Sequence, residues 1–136
     1  MTKRFVWPVR VYYEDTDVGG VVYYANYLKF MERARTEWLR AAGYEQDILM
    51  NEHNLLFAVT SAEIKYRKPA KFNDLLDVGL EVAELSRATI VFNQDIRRQG
   101  ETDELLAEGV IRVACLNAAS FRPKPIPADI LEQIKI

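Results

Sequence analysis

A short segment near the start of the chain combines carboxylates, glycines and aromatic side chains. Residues 12–24 contain Glu14, Asp15, Asp17, Gly19, Gly20, Tyr23 and Tyr24. A helical pattern follows this segment, and the first N–H groups of a helix have no partner within the helix. Such groups can hold the negative charge that develops on a carbonyl oxygen under attack. A carboxylate beside them could attack the carbonyl carbon or activate a water, so the pattern favours acyl transfer.

Two other interpretations of the acidic residues stay open on the sequence alone. The first is a solvated acidic turn, in which Asp17 caps the loop and the glycine pair supplies positive φ. The second is a divalent metal site built from clustered oxygens, but no histidine or further carboxylate cluster supports it, and we expect no metal. Side chains alternate in an extended segment, so Asp15 and Asp17 should share one face and Glu14 the other.

A long amphipathic helix is the element that would position this segment. Apolar residues recur at helical spacing from Tyr27 onwards, without an interrupting Gly or Pro, and Gly43 is placed to end the helix. The members of this apolar stripe are Tyr27, Phe30, Met31, Ala34, Trp38 and Ala41. We expect about 16 residues and a length of about 24 Å.

The remaining pattern is mostly that of β-strands, because apolar residues alternate with polar ones. Strands are predicted at residues 5–13, 56–66, 76–82, 88–96 and 105–116. Pro8 favours an edge position or a bulge for the first strand. A short turn is expected at residues 47–54, and a short helix at 128–134 after Pro127. The fold class is therefore α+β, a five-stranded antiparallel sheet wrapped around one long helix.

Length and composition restrict the function further. The 136 residues suit a single domain, and a net charge of -2 argues against a binder of nucleic acid held by phosphate neutralisation. No apolar run is long enough to predict a membrane span or a signal peptide. With a single cysteine, Cys115, no intrachain disulfide can form, and we expect a cytoplasmic protein. The outer face of the sheet would stay exposed, which favours a homo-oligomer, a dimer or a tetramer.

Residues 15–27 (DTDVGGVVYYANY), with Ala34-Arg35 after them, closely resemble the signature of the 4-hydroxybenzoyl-CoA thioesterase family, which has the hotdog fold. Residues 7–14 and 66–70 look in particular like the YbgC-type acyl-CoA thioesterases associated with the bacterial Tol-Pal system. The resemblance spans nearly the whole chain. It implies one hotdog domain over residues 1–136 that hydrolyses short-chain or aromatic acyl-CoA. Because CoA is then part of the substrate, no separate cofactor is implied.

The resemblance also implies roles for particular residues. Asp17 matches the family's catalytic carboxylate, a nucleophile or a general base. Tyr24 stands where YbgC-type members commonly carry histidine, so the main-chain N–H around Tyr24 is left to polarise the carbonyl. Met31 replaces a usual aromatic residue, and we interpret this as a variation in packing.

Other residues are assigned to substrate binding or to the core. The substrate-binding residues predicted are Gly20, Val21, Thr60, Ser61, Arg87 and Thr89, with Thr60 and Ser61 reaching the site from a neighbouring subunit. The CoA phosphates could instead meet the basic residues Arg67, Lys68 and Lys71. Tyr23, Tyr27, Phe30 and Trp38 could line an acyl pocket, although core packing is the simpler role for those at helical spacing. His53 is expected at the surface, and Cys115 as a buried apolar residue.

Two rival functions fit the same fold. The first is a non-catalytic module that binds acyl-CoA, an acyl-carrier protein or a cell-envelope partner, and the absence of histidine at Tyr24 supports it. The second is a dehydratase, which would need a histidine in the site, and His53 is badly placed for that role.

Overall fold

The computed structural model describes residues 4–135 and places a five-stranded antiparallel sheet against one long helix. The strands are β1 Phe5–Arg10, β2 Leu55–Tyr66, β3 Leu75–Leu85, β4 Thr89–Arg98 and β5 Glu104–Asn117. Their order in the sheet is β1-β3-β4-β5-β2, and every neighbouring pair is antiparallel. This arrangement confirms the predicted fold class and the predicted order of strand, long helix and four strands.

In the described part of the chain, three α-helices connect or flank the strands. The long helix α1, Asn26–Ala41, has 16 residues, and Gly43 follows it with φ of 102°, as the stop signal predicts. The expected turn near residue 50 is a full helix, α2, Gln46–His53. The C-terminal helix α3, Ala128–Ile134, begins after Pro127, where the sequence places it.

The core lies between α1 and the inner face of the sheet. Tyr27, Phe30 and Met31 of α1 are almost completely buried, so core packing is their role in the folded chain. Trp38 is half-buried and meets the ring of Phe92 edge-on, with 5.2 Å between ring centroids. Five of the six residues predicted for the stripe are buried or half-buried, and they fix α1 against β1, β3 and β4. The prediction is wrong for Ala41, which is exposed, because Leu39, two positions earlier and so on nearly the opposite face of the helix, is buried instead.

The first strand is shorter than predicted. It ends at Arg10 rather than at residue 13, and a 3₁₀ turn follows at Tyr13–Asp15. The cause is the Asp15 carboxylate, whose Oδ2 accepts the N–H of Tyr12 at 2.9 Å and curls the chain away from the sheet. β1 is nevertheless an edge strand, as Pro8 predicts.

The outer face of the sheet is polar rather than apolar. Asp95 of β4, for example, forms ion pairs with Arg4 at 2.7 Å and with Arg97 at 3.3 Å. Because the outer face is polar, its exposure is a weak argument for assembly. The exposed apolar side chains of edge strand β2 are a stronger argument. Within residues 4–135, no helix has both the length and the apolar composition needed to cross a membrane.

Candidate functional site

The segment singled out by the sequence folds into a tight hairpin. Its two arms are joined by the N–H of Tyr23, which donates to the carbonyl of Asp15 at 2.9 Å, and by a bridge between Thr16 and Val22. The N–H of Asp17 donates to the carbonyl of Val21 at 3.0 Å. Asp17 therefore lies at the tip of the hairpin, where the chain reverses.

Glycine makes the reversal possible. Gly20 has φ of 75°, a left-handed conformation that favours glycine, and its N–H donates to the carbonyl of Asp17 at 3.0 Å. The Asp17 carboxylate also accepts the N–H of Gly19 at 2.9 Å through Oδ1. The turn-capping role that the sequence left open is therefore present in the structure. This contact uses one carboxylate oxygen of an exposed side chain, and no cation within residues 4–135 pairs with it.

Asp15 has a different role from Asp17. Its side chain is only 5% exposed, and Oδ1 accepts the amide N–H of Asn26 at 2.9 Å while Oδ2 accepts the N–H of Tyr12. The expectation that Asp15 and Asp17 share one face is wrong, because the 3₁₀ turn replaces the extended strand on which that reasoning depended. Asp15 instead fastens the hairpin to the first residue of α1. The sequence carried one signal of this pair, a polar amide at the start of an apolar helix.

The start of α1 lies two residues after Tyr24. The carbonyl of Tyr24 accepts both the N–H of Tyr27 at 3.3 Å and the hydroxyl of Tyr66 at 3.2 Å. The Tyr24 side chain is 61% exposed. Within the part of the chain that the structure describes, the main-chain N–H groups of Tyr24 and Ala25 have no acceptor. The first N–H groups of α1 itself, from Asn26 to Leu28, donate to the carbonyls of residues 23–25, so the unpaired donors lie just before the helix rather than in its first turn.

The hairpin also docks on the segment that precedes β3. The N–H of Val22 donates to the carbonyl of Ala70 at 2.8 Å, and the N–H of Phe72 donates to that of Gly20 at 3.2 Å. The structure thus brings together four predicted site residues: Asp17, Gly20, Val21 and Tyr24. The hydroxyl of Tyr66 is a further group at this place; residues 66–70 carry part of the resemblance, but no local pattern predicts the contact of Tyr66 with Tyr24.

The other predicted binding residues lie elsewhere in the single chain. Thr60 and Ser61 are in the middle of β2, where the pairing register with β5 shifts between Val59 and Ser61, so Thr60 is the bulged residue. Arg87 and Thr89 are exposed at the turn between β3 and β4. The hairpin docks at the opposite end of β3. Because β3 has 11 residues, its two ends are about 35 Å apart. Their roles in substrate binding stay predictions.

The remaining candidates divide between the surface and the core. Arg67 and Lys68 form ion pairs with Glu108 at 3.1 Å and Glu104 at 2.7 Å, so part of the basic cluster is already neutralised. His53 is exposed at the end of α2. Cys115 is buried, and burial raises the pKa of its thiol to about 11, which keeps it protonated. No three His, Cys, Asp or Glu side chains within residues 4–135 converge as metal ligands.

Residues 11–134 match the profile of the "Thioesterase-like superfamily". The chain is similar to the acyl-CoA thioesterase YbgC of Haemophilus influenzae, with 45% identity over 130 residues that cover 96% of this chain and 93% of the relative.

Two solved structures are also similar. Slr0204, a 1,4-dihydroxy-2-naphthoyl-CoA thioesterase from Synechocystis, has a TM-score of 0.89 and 25% identity, covering 98% of this chain and 96% of the other. A 4-hydroxybenzoyl CoA thioesterase has a TM-score of 0.86 over 96% of this chain and 98% of its own, and at 18% identity this likeness concerns the fold alone.

Proposed function

The chain belongs to the thioesterase-like superfamily, and on this premise we propose that Asp17 is the carboxylate that drives hydrolysis of an acyl-CoA thioester. The predicted family and the predicted hotdog fold are confirmed by the sequence relative and by the solved structures. The chain is a thioester hydrolase. The roles of individual residues, the acyl group and the assembly are what we propose beyond that.

The proposed substrate is a CoA thioester with a short or aromatic acyl group. The name of the Haemophilus influenzae relative supports acyl-CoA, and the name of the Synechocystis enzyme supports an aromatic acyl group. In this reaction CoA leaves as product, so it is substrate rather than cofactor.

In one route, an Asp17 oxygen forms a bond to the thioester carbon. The carbonyl oxygen becomes an oxyanion, and the N–H groups of Tyr24 and Ala25 stabilise it. Collapse breaks the C–S bond, CoA leaves as a thiolate that takes a proton from water, and the acyl group remains on Asp17 as a mixed anhydride. Water then hydrolyses the anhydride and restores the carboxylate.

In the other route, Asp17 acts as a general base. It removes a proton from a water as the water oxygen attacks the thioester carbon, and the same main-chain donors stabilise the oxyanion. The C–S bond breaks, and the proton held by Asp17 passes to the departing sulfur. Both routes need an ionised carboxylate beside the unpaired N–H donors just before α1.

The observation that carries this proposal is the fastening of the Asp17 hairpin to the start of α1. The buried pair of Asp15 and Asn26 joins the two elements at 2.9 Å, while Asp17 itself stays exposed and free of cations within residues 4–135. The segment that carries Asp17 is thus fastened to the start of the helix, where the main-chain donors lie.

We further propose that the working form is a homo-oligomer in which β2 meets a neighbouring copy. β2 is an edge strand, its Val59 is 51% exposed, and the bulged Thr60 beside it is also exposed, although its hydroxyl donates to the carbonyl of Arg112 in its own chain at 3.4 Å. Thr60 and Ser61 could then serve the site of the neighbour, which would explain why they are remote from Asp17 of their own chain. Solution mass tests this, since a stable monomer contradicts it.

The activity test compares release of CoA thiol from a panel of acyl-CoA esters by wild type and Asp17→Asn. The amide retains an oxygen that can accept the N–H of Gly19, so the turn should survive while the charge is lost. We expect turnover to fall by roughly 10²–10⁴-fold, the usual contribution of a catalytic acid or base. The control Glu14→Gln removes an exposed neighbouring carboxylate and should keep full activity.

Two outcomes would count against the proposal. Near-normal turnover by Asp17→Asn would refute the assigned role of that residue. A wild type that releases thiol from no ester would favour the alternative of a non-catalytic module that binds acyl-CoA or an acyl-carrier protein.

A further inference from the structure

A groove runs along α1 on the side that faces edge strand β2. Because α1 packs on β1, β3 and β4, space remains between it and β2. Two cavities of about 500 and 160 Å³ adjoin there and share the lining residues Glu32, Arg35 and Val59. We call this space the α1–β2 groove.

The α1–β2 groove begins close to the proposed oxyanion donors. Its first lining residue on α1 is Leu28, one helical turn beyond Tyr24, and its last are Trp38 and Leu39. The ten residue steps of helix from Leu28 to Trp38 span about 15 Å. Phe92 contributes to the apolar floor. An acyl chain whose carbonyl lies at the start of α1 could therefore extend along this groove.

Among the charged residues that line the groove, Arg35 forms a hydrogen bond with the sheet. Nη1 of Arg35 donates to Oε1 of Gln94 at 2.8 Å, and Nε2 of Gln94 donates to the carbonyl of Met31 at 3.1 Å. Gln94 is only 3% exposed, so this contact holds its amide in one orientation, with the oxygen towards Arg35. The guanidinium is thus fixed within the groove.

Arg35 lacks the partner that a half-buried cation usually has. No carboxylate within residues 4–135 lies within ion-pair distance of it. Burial lowers the pKa of the guanidinium from its ordinary value, while the charge of Glu32 acts in the opposite direction. The hydrogen bond to Gln94 uses one of the five N–H donors of a guanidinium, and no buried side-chain nitrogen or oxygen in the described residues is without a partner. The unused donors of Arg35 are therefore accessible, and Arg35 lines both cavities of the groove.

The charges around the groove also favour an anion. Lys29, Arg33 and Arg35 line it together with one acidic residue, Glu32. The local balance is positive, although the whole chain has a net charge of -2.

We propose that Arg35 binds a carboxylate at the far end of the acyl group, so that CoA thioesters of dicarboxylic acids are preferred substrates. This inference rests on the proposed function and names its substrate class. A guanidinium presents a planar pair of donors that matches the two oxygens of a carboxylate. A methyl-ended chain of the same length would remove water from the guanidinium of Arg35 without offering it a hydrogen bond. This loss of hydration disfavours binding of the methyl-ended chain. Gln94 is the positioning residue, because it orients the guanidinium.

The test compares straight-chain acyl-CoA esters with their ω-carboxy counterparts, from the succinyl to the sebacoyl ester. We expect wild type to prefer the carboxylate form at one or more chain lengths by roughly tenfold or more in kcat/KM, as for a hydrogen bond to a charged group. Arg35→Met should abolish that preference. Arg40→Met removes the same charge from an exposed position of α1 outside the groove and should retain it.

Binding of non-hydrolysable thioether analogues of the same esters separates this inference from the proposed function. If no ester is hydrolysed but the ω-carboxy thioether binds roughly tenfold tighter than its methyl-ended partner, only the proposed function fails. Should Arg35→Met not fold, Arg35→Lys keeps the charge without the planar fork and should weaken the preference. The inference would be overturned if wild type bound the ω-carboxy and methyl-ended thioethers equally at every chain length. That result is expected if a second copy fills the groove. An unchanged preference in a folded Arg35 variant would do so too.

Discussion

Replacing Asp15 by asparagine tests whether the site depends on the buried pair beneath it. The substitution keeps the size of the side chain but leaves one oxygen where there were two. Asp15 uses both oxygens, one for the N–H of Tyr12 and one for the amide of Asn26, each at 2.9 Å. In Asp15→Asn an NH₂ group replaces one of these oxygens, and it cannot accept a hydrogen bond from either donor.

The expected loss can be worked out from these contacts. A hydrogen bond to a charged group contributes about 1.5–3 kcal/mol, and a buried polar group without a partner costs about 1–3 kcal/mol. Whichever way the new amide turns, either the N–H of Tyr12 or the amide of the buried Asn26 loses its acceptor. We expect the free energy of unfolding to fall by about 2–3 kcal/mol. In a domain of this size that corresponds to a melting temperature lower by about 8–12 °C.

Urea denaturation and thiol release measure the two consequences. Asp17 is joined to α1 through this pair, so activity should fall with stability even though Asp15 touches no substrate. The double variant Asp15→Asn with Asn26→Asp reverses donor and acceptor and should restore most of the stability, since an acidic residue is also favoured in the first turn of a helix. Glu14→Gln is the matched control.

The reasoning is refuted by either of two results. One is an Asp15→Asn protein within about 0.5 kcal/mol of wild type, the range of ordinary surface substitutions. The other is a double variant no more stable than the single one, because coupling between contacting residues should reach about 0.5–3 kcal/mol.

Two further predictions concern Tyr66 and Cys115. Tyr66→Phe removes the hydroxyl that holds the carbonyl of Tyr24 and should lower kcat several-fold with little change in KM; an unchanged kcat would contradict this. Burial raises the pKa of Tyr66 above its ordinary 10.0, so the hydroxyl should stay protonated and keep its bond to the carbonyl of Tyr24 up to pH 10. The higher kcat of wild type over Tyr66→Phe should therefore persist up to that pH. Cys115, with a pKa of about 11, should resist a thiol reagent at pH 8 until the protein is unfolded, and rapid labelling of the native protein would show otherwise.

Local sequence patterns predicted much of the fold because they act over short distances. The apolar stripe from Tyr27 to Trp38 and the stop at Gly43 depend on residues a few positions apart, and α1 has the expected length. Alternation predicted the strands for the same reason. The length of the first strand was wrong, because the side chain of Asp15 competes with the strand for the N–H of Tyr12.

The sequence by itself also singled out the segment that we propose as reactive, because the motif that contains Asp17, Gly20 and Tyr24 is contiguous. Only the tertiary structure decided what supports it. The hydroxyl of Tyr66 reaches Tyr24 across 42 positions, and Arg35 meets Gln94 across 59. No pattern along a chain encodes such pairs, since they exist only once the sheet has brought β2 and β4 beside α1. The fold turned three neighbouring carboxylates into one buried anchor, Asp15, and two exposed groups, of which Asp17 lies at the tip of the hairpin.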